Sequence, residues 1–233
     1  MTPREIPIWE PPKIPLQPLA IGELHLWKID VETSGMDLSN LLSPDERLRC
    51  QQMLNKQDQL RFSNARGSLR TILAAYLDRS PETLRFDYGA KGKPELNGTR
   101  RLHFNLTHAG NLALVAVSAE STIGIDLEKQ QPRNNLRAIA RRVFSDTLWQ
   151  SLETLENDSF QQAFFQHWTQ MEARVKALGQ GVFSRDTQLA NIACVNFTPE
   201  EGWCAAVAIT ENLPDQSQWL TLQFSPDLLT QIG

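Results

Sequence analysis

No run of apolar residues in this 233-residue chain approaches the roughly 18 that span a bilayer. The first residues, 1–18, are rich in proline rather than patterned as a leader. The expectation is a protein with no membrane partner that works in the cytoplasm. Cysteine is scarce. Cys50, Cys194 and Cys204 have neither zinc-ligand spacing nor the even count of a disulfide framework, and they read as reduced thiols. Positive charge is not in excess either: 23 Lys and Arg against 27 Asp and Glu give a net charge of −4. Such a chain has no global attraction to nucleic acid or to an acidic membrane, so its basic residues act locally. Low-complexity tracts and residue-level repeats are absent.

What is present is the composition of an ordinary globular chain, 41% hydrophobic and 21% charged, long enough for one large domain or two smaller ones. Residues 1–22 read as an extended arm and 23–31 as a strand. Ser43, Pro44 and Glu46 fit the N-cap, first and third positions of a helix. A second helix is expected over 56–77, turning Leu60, Ala65, Leu69, Ile72, Leu73 and Tyr76 to a core. Short strands follow at 84–88, 101–106 and 113–118, around turns at 89–94 and 109–111. Beyond a seam at 119–122, residues 122–127 read as a strand and 135–143 and 146–156 as short helices. Residues 192–197, 204–209 and 220–224 read as strands that close the second half.

Two acidic clusters carry the chemistry. In IGIDLE (123–128) a strand sends Asp126 and Glu128 to one face and Ile125 and Leu127 to the other. Two carboxylates at about 4 Å repel by roughly 4 kcal/mol at an effective dielectric near 20, so a buried pair needs a cation or a shifted pKa. Mg²⁺ suits them, since it takes a few carboxylates and completes its shell with water and phosphate. An edge strand with two solvated acids is the other reading. In the second cluster, Phe164, Trp168, Met171, Val175 and Leu178 recur at helical spacing over 159–178. Ser159 and Gln162 fit a capping box at its start, and Gly179 and Gly181 its stop. Glu172 and Lys176 share a face of that helix, either as a solvated pair or as part of a site.

The segments GKPEL (92–96), FNLTHAGNLALVAV (104–117), IGIDLE and FFQHWTQMEARVKALGQG (164–181) stand in the order and approximate spacing of the Sfp-type 4′-phosphopantetheinyl transferases. SPDERLRC (43–50) and RFSNARGSLRTILAAYL (61–77) also resemble that family's N-terminal half, so the resemblance covers roughly residues 24–210. It implies an α+β fold of two similar α/β halves, 1–120 and 121–233, related by a pseudo-twofold axis with the active site in the cleft between them.

The activity implied is transfer of 4′-phosphopantetheine from coenzyme A to a serine of an apo acyl or peptidyl carrier protein, as in fatty acid and polyketide biosynthesis, with release of 3′,5′-ADP. Asp126, Glu128 and Glu172 are the implied ligands of Mg²⁺, with Mn²⁺ as a substitute. Glu172 and Lys176 are the implied catalytic pair. Arg49, Arg70, Lys93, Pro94, Thr107, His108 and Lys176 are the implied coenzyme A contacts, the Lys93–Pro94 pair at the adenine. Arg47, Arg61 and Arg66 are candidates to meet an acidic carrier, and a monomer is expected. A coenzyme A binding module with weak catalysis and a Mg²⁺-dependent phosphohydrolase are the competing classes. One position departs from the family's W-[ST]-x-K-E pattern: Met171 stands where a lysine is usual.

Overall fold

The computed structural model describes residues 4–5, 8–98, 102–119, 121–179, 191–215 and 218–231. Two four-stranded sheets form the middle of the molecule. The first contains β2 (Leu24–Asp30), β5 (His103–Ala109), β6 (Leu112–Ser118) and β10 (Trp219–Gln223), ordered β10-β2-β6-β5. The second contains β1 (Arg4–Glu5), β7 (Ile123–Lys129), β8 (Ala193–Thr198) and β9 (Trp203–Ile209), ordered β1-β8-β9-β7. A small hairpin, β3 (Phe86–Tyr88) with β4 (Pro94–Leu96), stands apart.

Alternation along the strands explains the layers. On β6, Ala113, Val115 and Val117 join a core with Leu69, Ile72 and Leu73 of helix α2 (Lys56–Leu77), while Leu112, Leu114 and Ala116 join a core with the second sheet. On β7, Ile123, Ile125 and Leu127 enter that inter-sheet core, which sends Gly124, Asp126 and Glu128 the other way. There lies helix α5 (Asn157–Leu178), whose Ala173 and Ala177 pack with Ala206 and Ala208 of β9. The order through the molecule is therefore α2, sheet, sheet, α5. Strands β6 and β9 are buried on both faces, which is why LALVAVS and WCAAVAI are nearly continuous apolar runs.

Several expectations need correction. The arm contains β1, which pairs parallel to β8, and β10 pairs parallel to β2, so each end of the chain completes the other half's sheet. Pro94, expected to end a turn, begins β4, which runs to Leu96. The strand expected at 101–106 is seen at His103–Ala109, residue 101 lying outside the described residues. Helix α5 begins at Asn157 with Glu156 as N-cap and no side-chain cap bond, so the Ser159–Gln162 box does not form. It does end at Gly179, in the left-handed region at φ 66°, while Gly181 lies outside the described residues. The shorter helices are α1 (Pro44–Gln51), α3 (Leu136–Val143), α4 (Asp146–Leu152) and α6 (Leu228–Gln231). Among the described residues, no helix is long and apolar enough to cross a membrane.

One glycine sets the spacing of α5 on β7. A Cβ at Gly124 would meet the Ala173 carbonyl oxygen and the Ala177 amide nitrogen, both backbone atoms of α5. Gly124→Ala should therefore cost about 3 kcal/mol by overpacking and lower Tm by about 6–12 °C. A melting curve within 2 °C of the parent, roughly the shift of 1 kcal/mol, would show that α5 moves away without penalty.

Candidate active site

Because α5 lies directly on the polar face of β7, its i,i+4 pair meets the strand's acids. Lys176 Nζ donates to Asp126 Oδ1 at 2.6 Å, and it also reaches the Ile125 carbonyl and Thr107 Oγ1, each at 3.3 Å. The second carboxylate oxygen of Asp126 is buried without a hydrogen-bond partner in the structure. Asn105 of β5 accepts the Ile125 N–H at 2.9 Å, which fixes the two sheets to each other beside this point.

The remaining acids feel one another. Burial, then the Asp126 charge, raises the pKa of Glu128, against the opposing pull of Arg133 and the Trp168 indole. Burial and the charges of Asp126 and Glu128 likewise raise Glu172, with Lys176 opposing. Among the described residues no three acid, histidine or cysteine side chains already converge at metal-ligating distance. The donor set nevertheless fits a hard dication: Glu128 and Glu172, whose pKa values are raised by burial and by the Asp126 charge, and Asp126, which has an unpartnered buried oxygen.

A second, cationic group adjoins them. Although His108 keeps exposed surface, crowding around its ring desolvates it and lowers its pKa, and the charges of Lys176, Arg49 and Arg61 push the same way. His108, Arg61, Phe62 and Met53 line a hollow of about 250 Å³, while Arg49 and Phe62 share a neighbouring one of about 220 Å³. The Arg49 guanidinium lies 5.5 Å from the centre of the Phe62 ring. Thr107 lies within hydrogen-bond reach of Lys176, and the Lys176 and Arg49 charges are near enough to His108 to lower its pKa.

Other expected contacts sit elsewhere. Arg70 is 1% exposed: its Nε donates to Glu46 at 2.7 Å and its Nη1 to the carbonyls of Pro81 and Leu84. Arg66 holds the other Glu46 oxygen at 2.9 Å and is also buried. Glu46 in turn accepts the Ser43 N–H at the start of α1. Burial would raise Glu46, but the Arg70 bond and the Arg66 charge outweigh it and hold its pKa low. Arg70 therefore supports the core instead of facing the cleft, and Arg66 is no surface contact. Arg61 is engaged with Glu32 at 2.6 Å, leaving Arg47 as the exposed member of the expected carrier set.

Lys93 likewise turns inward. Its Nζ donates to the carbonyls of Ile123 at 2.9 Å and Lys176 at 2.7 Å, serving the negative end of α5, and burial lowers its pKa to about 8. Beside it a cavity of about 800 Å³ is lined by Lys93, Pro94, Leu96, Leu102, Phe104 and Thr122, apart from the acids. Met171 is half-buried and belongs to none of the core clusters among the described residues, whereas Phe164, Trp168, Val175 and Leu178 of the expected stripe are buried or packed against a core, with Phe165, Thr169, Ala173 and Ala177 buried beside them. The residues that sequence reasoning missed are Asn105 and Arg133, whose roles come from pairing across the sheets and from a loop conformation.

The chain is 40% identical over 177 residues to 4′-phosphopantetheinyl transferase HetI of Nostoc sp., covering 73% of this chain and 75% of that protein. It belongs to the 4′-phosphopantetheinyl transferase superfamily. The model of that superfamily matches residues 122–225, which contain β7 and α5. A putative 4′-phosphopantetheinyl transferase of Synechocystis sp., slr0495, is 38% identical over 167 residues, 70% of this chain and 68% of that one. The transferase Sfp of Bacillus subtilis is 28% identical over 143 residues, 61% and 62% of the two chains.

Removing Arg70 leaves Glu46 buried with half its pairing. Arg70→Ala should cost about 3–5 kcal/mol, read as a lower urea midpoint. An unchanged midpoint with a raised KM for coenzyme A would return Arg70 to the substrate.

Proposed function

We propose that this phosphopantetheinyl transferase moves 4′-phosphopantetheine from coenzyme A to a serine of an apo acyl or peptidyl carrier protein and releases 3′,5′-ADP. The observation that carries the reading is the meeting of Asp126 and Glu128 with Glu172 and Lys176 where α5 crosses β7. The two halves, 1–120 and 121–233, are read as lobes related by a pseudo-twofold axis with the substrate in the cleft. In support, the first, second and third antiparallel strands of each half run in one order, β2-β6-β5 and β7-β9-β8. The setting proposed is a monomer in the cytoplasm that serves fatty acid or polyketide carriers.

Asp126, Glu128 and Glu172 would hold Mg²⁺, or Mn²⁺ in its place. Bound there, the dication would supply charge neutralisation for the pyrophosphate oxygens. Lys176, fixed by Asp126 and Thr107, directs its ammonium at the same phosphates. The carrier serine Oγ attacks the phosphorus that bears the pantetheine arm. The bond from that phosphorus to the bridging oxygen breaks, and 3′,5′-ADP leaves with the electron pair. The serine proton passes to a carboxylate, and Glu172, which lies beside Asp126 and Glu128, is the candidate to accept it. Arg49, Thr107 and His108 would take the 3′-phosphate, and the cavity at Lys93 and Pro94 the adenine.

The deciding experiment is mass spectrometry of apo carrier proteins after incubation with coenzyme A and Mg²⁺. A phosphopantetheine adduct on serine supports the transfer; 3′,5′-ADP released without any carrier would mean hydrolysis instead. Asp126→Ala should abolish transfer at low millimolar Mg²⁺ and recover part of it at high Mn²⁺, and a parental rate at low Mg²⁺ would remove Asp126 from the metal.

His108 supplies a test of the nucleotide end. Its free pKa is lowered, and a bound phosphate dianion would raise it, so binding takes up a proton. Affinity for 3′,5′-ADP should then strengthen as pH falls through the interval between the bound and the free values. His108→Ala should flatten that slope and weaken coenzyme A more than 3′-dephospho-coenzyme A in calorimetry. Equal losses on both ligands would put His108 elsewhere.

A further inference from the structure

The segment between β7 and α3 takes no part in the reading above, yet it holds one of the metal acids. Arg133 Nη2 donates to Glu128 Oε2 at 3.1 Å, and the Arg133 guanidinium lies 5.6 Å from the centre of the Phe165 ring. Each acid of β7 thus has its own cation: Lys176 on Asp126 and Arg133 on Glu128. The two cations differ in how they are held. Lys176 comes from the middle of the packed α5–β7 contact, and it leaves Asp126 Oδ2 unpartnered in the structure. Arg133 comes from an exposed loop, and its side chain is 38% exposed against 20% for Glu128.

We infer that Arg133 is a counter-ion that a divalent cation must displace from Glu128, and that it sets how tightly this site takes metal. The inference rests on the reading of Asp126, Glu128 and Glu172 as metal acids. A guanidinium and a dication repel each other across one carboxylate, so Arg133 competes with metal. An exposed pair is weak and gives way readily, whereas in the metal-free protein it shields Glu128 from Asp126 and Glu172. Arg133 is therefore a positioning residue with two effects of opposite sign, favouring the metal-free fold and opposing metal binding.

Arg133→Gln and Arg133→Lys separate those effects, with Mn²⁺ as the probe, coenzyme A present, and free Mn²⁺ counted by electron paramagnetic resonance. The Gln protein should bind Mn²⁺ about two- to fivefold more tightly than the parent, the range that an exposed ion pair supports, with the Lys protein between them. The difference should shrink as KCl is raised. Without metal the Gln protein should melt lower than the parent, and saturating Mn²⁺ should raise its Tm by more. Equal or weaker Mn²⁺ binding by a folded Gln protein overturns the inference while leaving the metal acids in place. If the parent binds coenzyme A but neither it nor the variants bind Mn²⁺, the metal reading itself falls.

Discussion

The close approach of α5 to β7 at Gly124 is the constraint on which the site depends. With no side chain at that position, the helix backbone at Ala173 and Ala177 rests against the strand, and Glu172 and Lys176 fall beside Asp126 and Glu128. The alanines of β9, Ala206 and Ala208, keep the neighbouring strand equally low under the helix. The apolar residues of β7 occupy the inter-sheet core, so the strand cannot rotate its acids away without unburying Ile123, Ile125 and Leu127.

Charge is arranged in two different ways on the two sides of the molecule. In the N-terminal half, Glu46 is enclosed by Arg66, Arg70 and the Ser43 amide, a satisfied network with every partner internal. It fixes α1 on α2 and has no oxygen to spare for a ligand. At the β7–α5 contact the balance is left incomplete. Asp126 keeps one oxygen unpartnered, and Glu128 and Glu172 have raised pKa values that a cation would relieve. Lys176 beside Asp126 and Arg133 beside Glu128 offset part of the mutual repulsion of these acids.

The pairing of chain ends ties these two regions into one body. Strand β10 lies along β2 and β1 along β8, so neither half's sheet is complete without residues from the opposite end of the chain. Asn105 and Lys93 add polar ties across the same junction, the first to the Ile125 amide and the second to the last turn of α5. The Lys93 ammonium is thereby committed to holding the halves in register, while its side chain still borders the neighbouring cavity.

Local patterns in the sequence determined the strands β2, β6, β7 and β9, the helix α2, most of α5, and the facing of Asp126 and Glu128 away from Ile125 and Leu127, because each rests on a period of 2 or 3.6 over several residues. The motif series likewise determined the family. Tertiary structure alone decided the rest. A two-residue strand such as β1 has no local signature, and although residues 220–224 read as a strand, the partner of β10 does not show in the sequence, since in both cases the bonds lie with residues some two hundred positions away. Arg70 and Lys93 look the same in sequence whether they face phosphate or a buried carboxylate and helix carbonyls, since a cation's partner is chosen by the packing around it. Arg133 is a surface arginine until the loop after β7 brings it to Glu128.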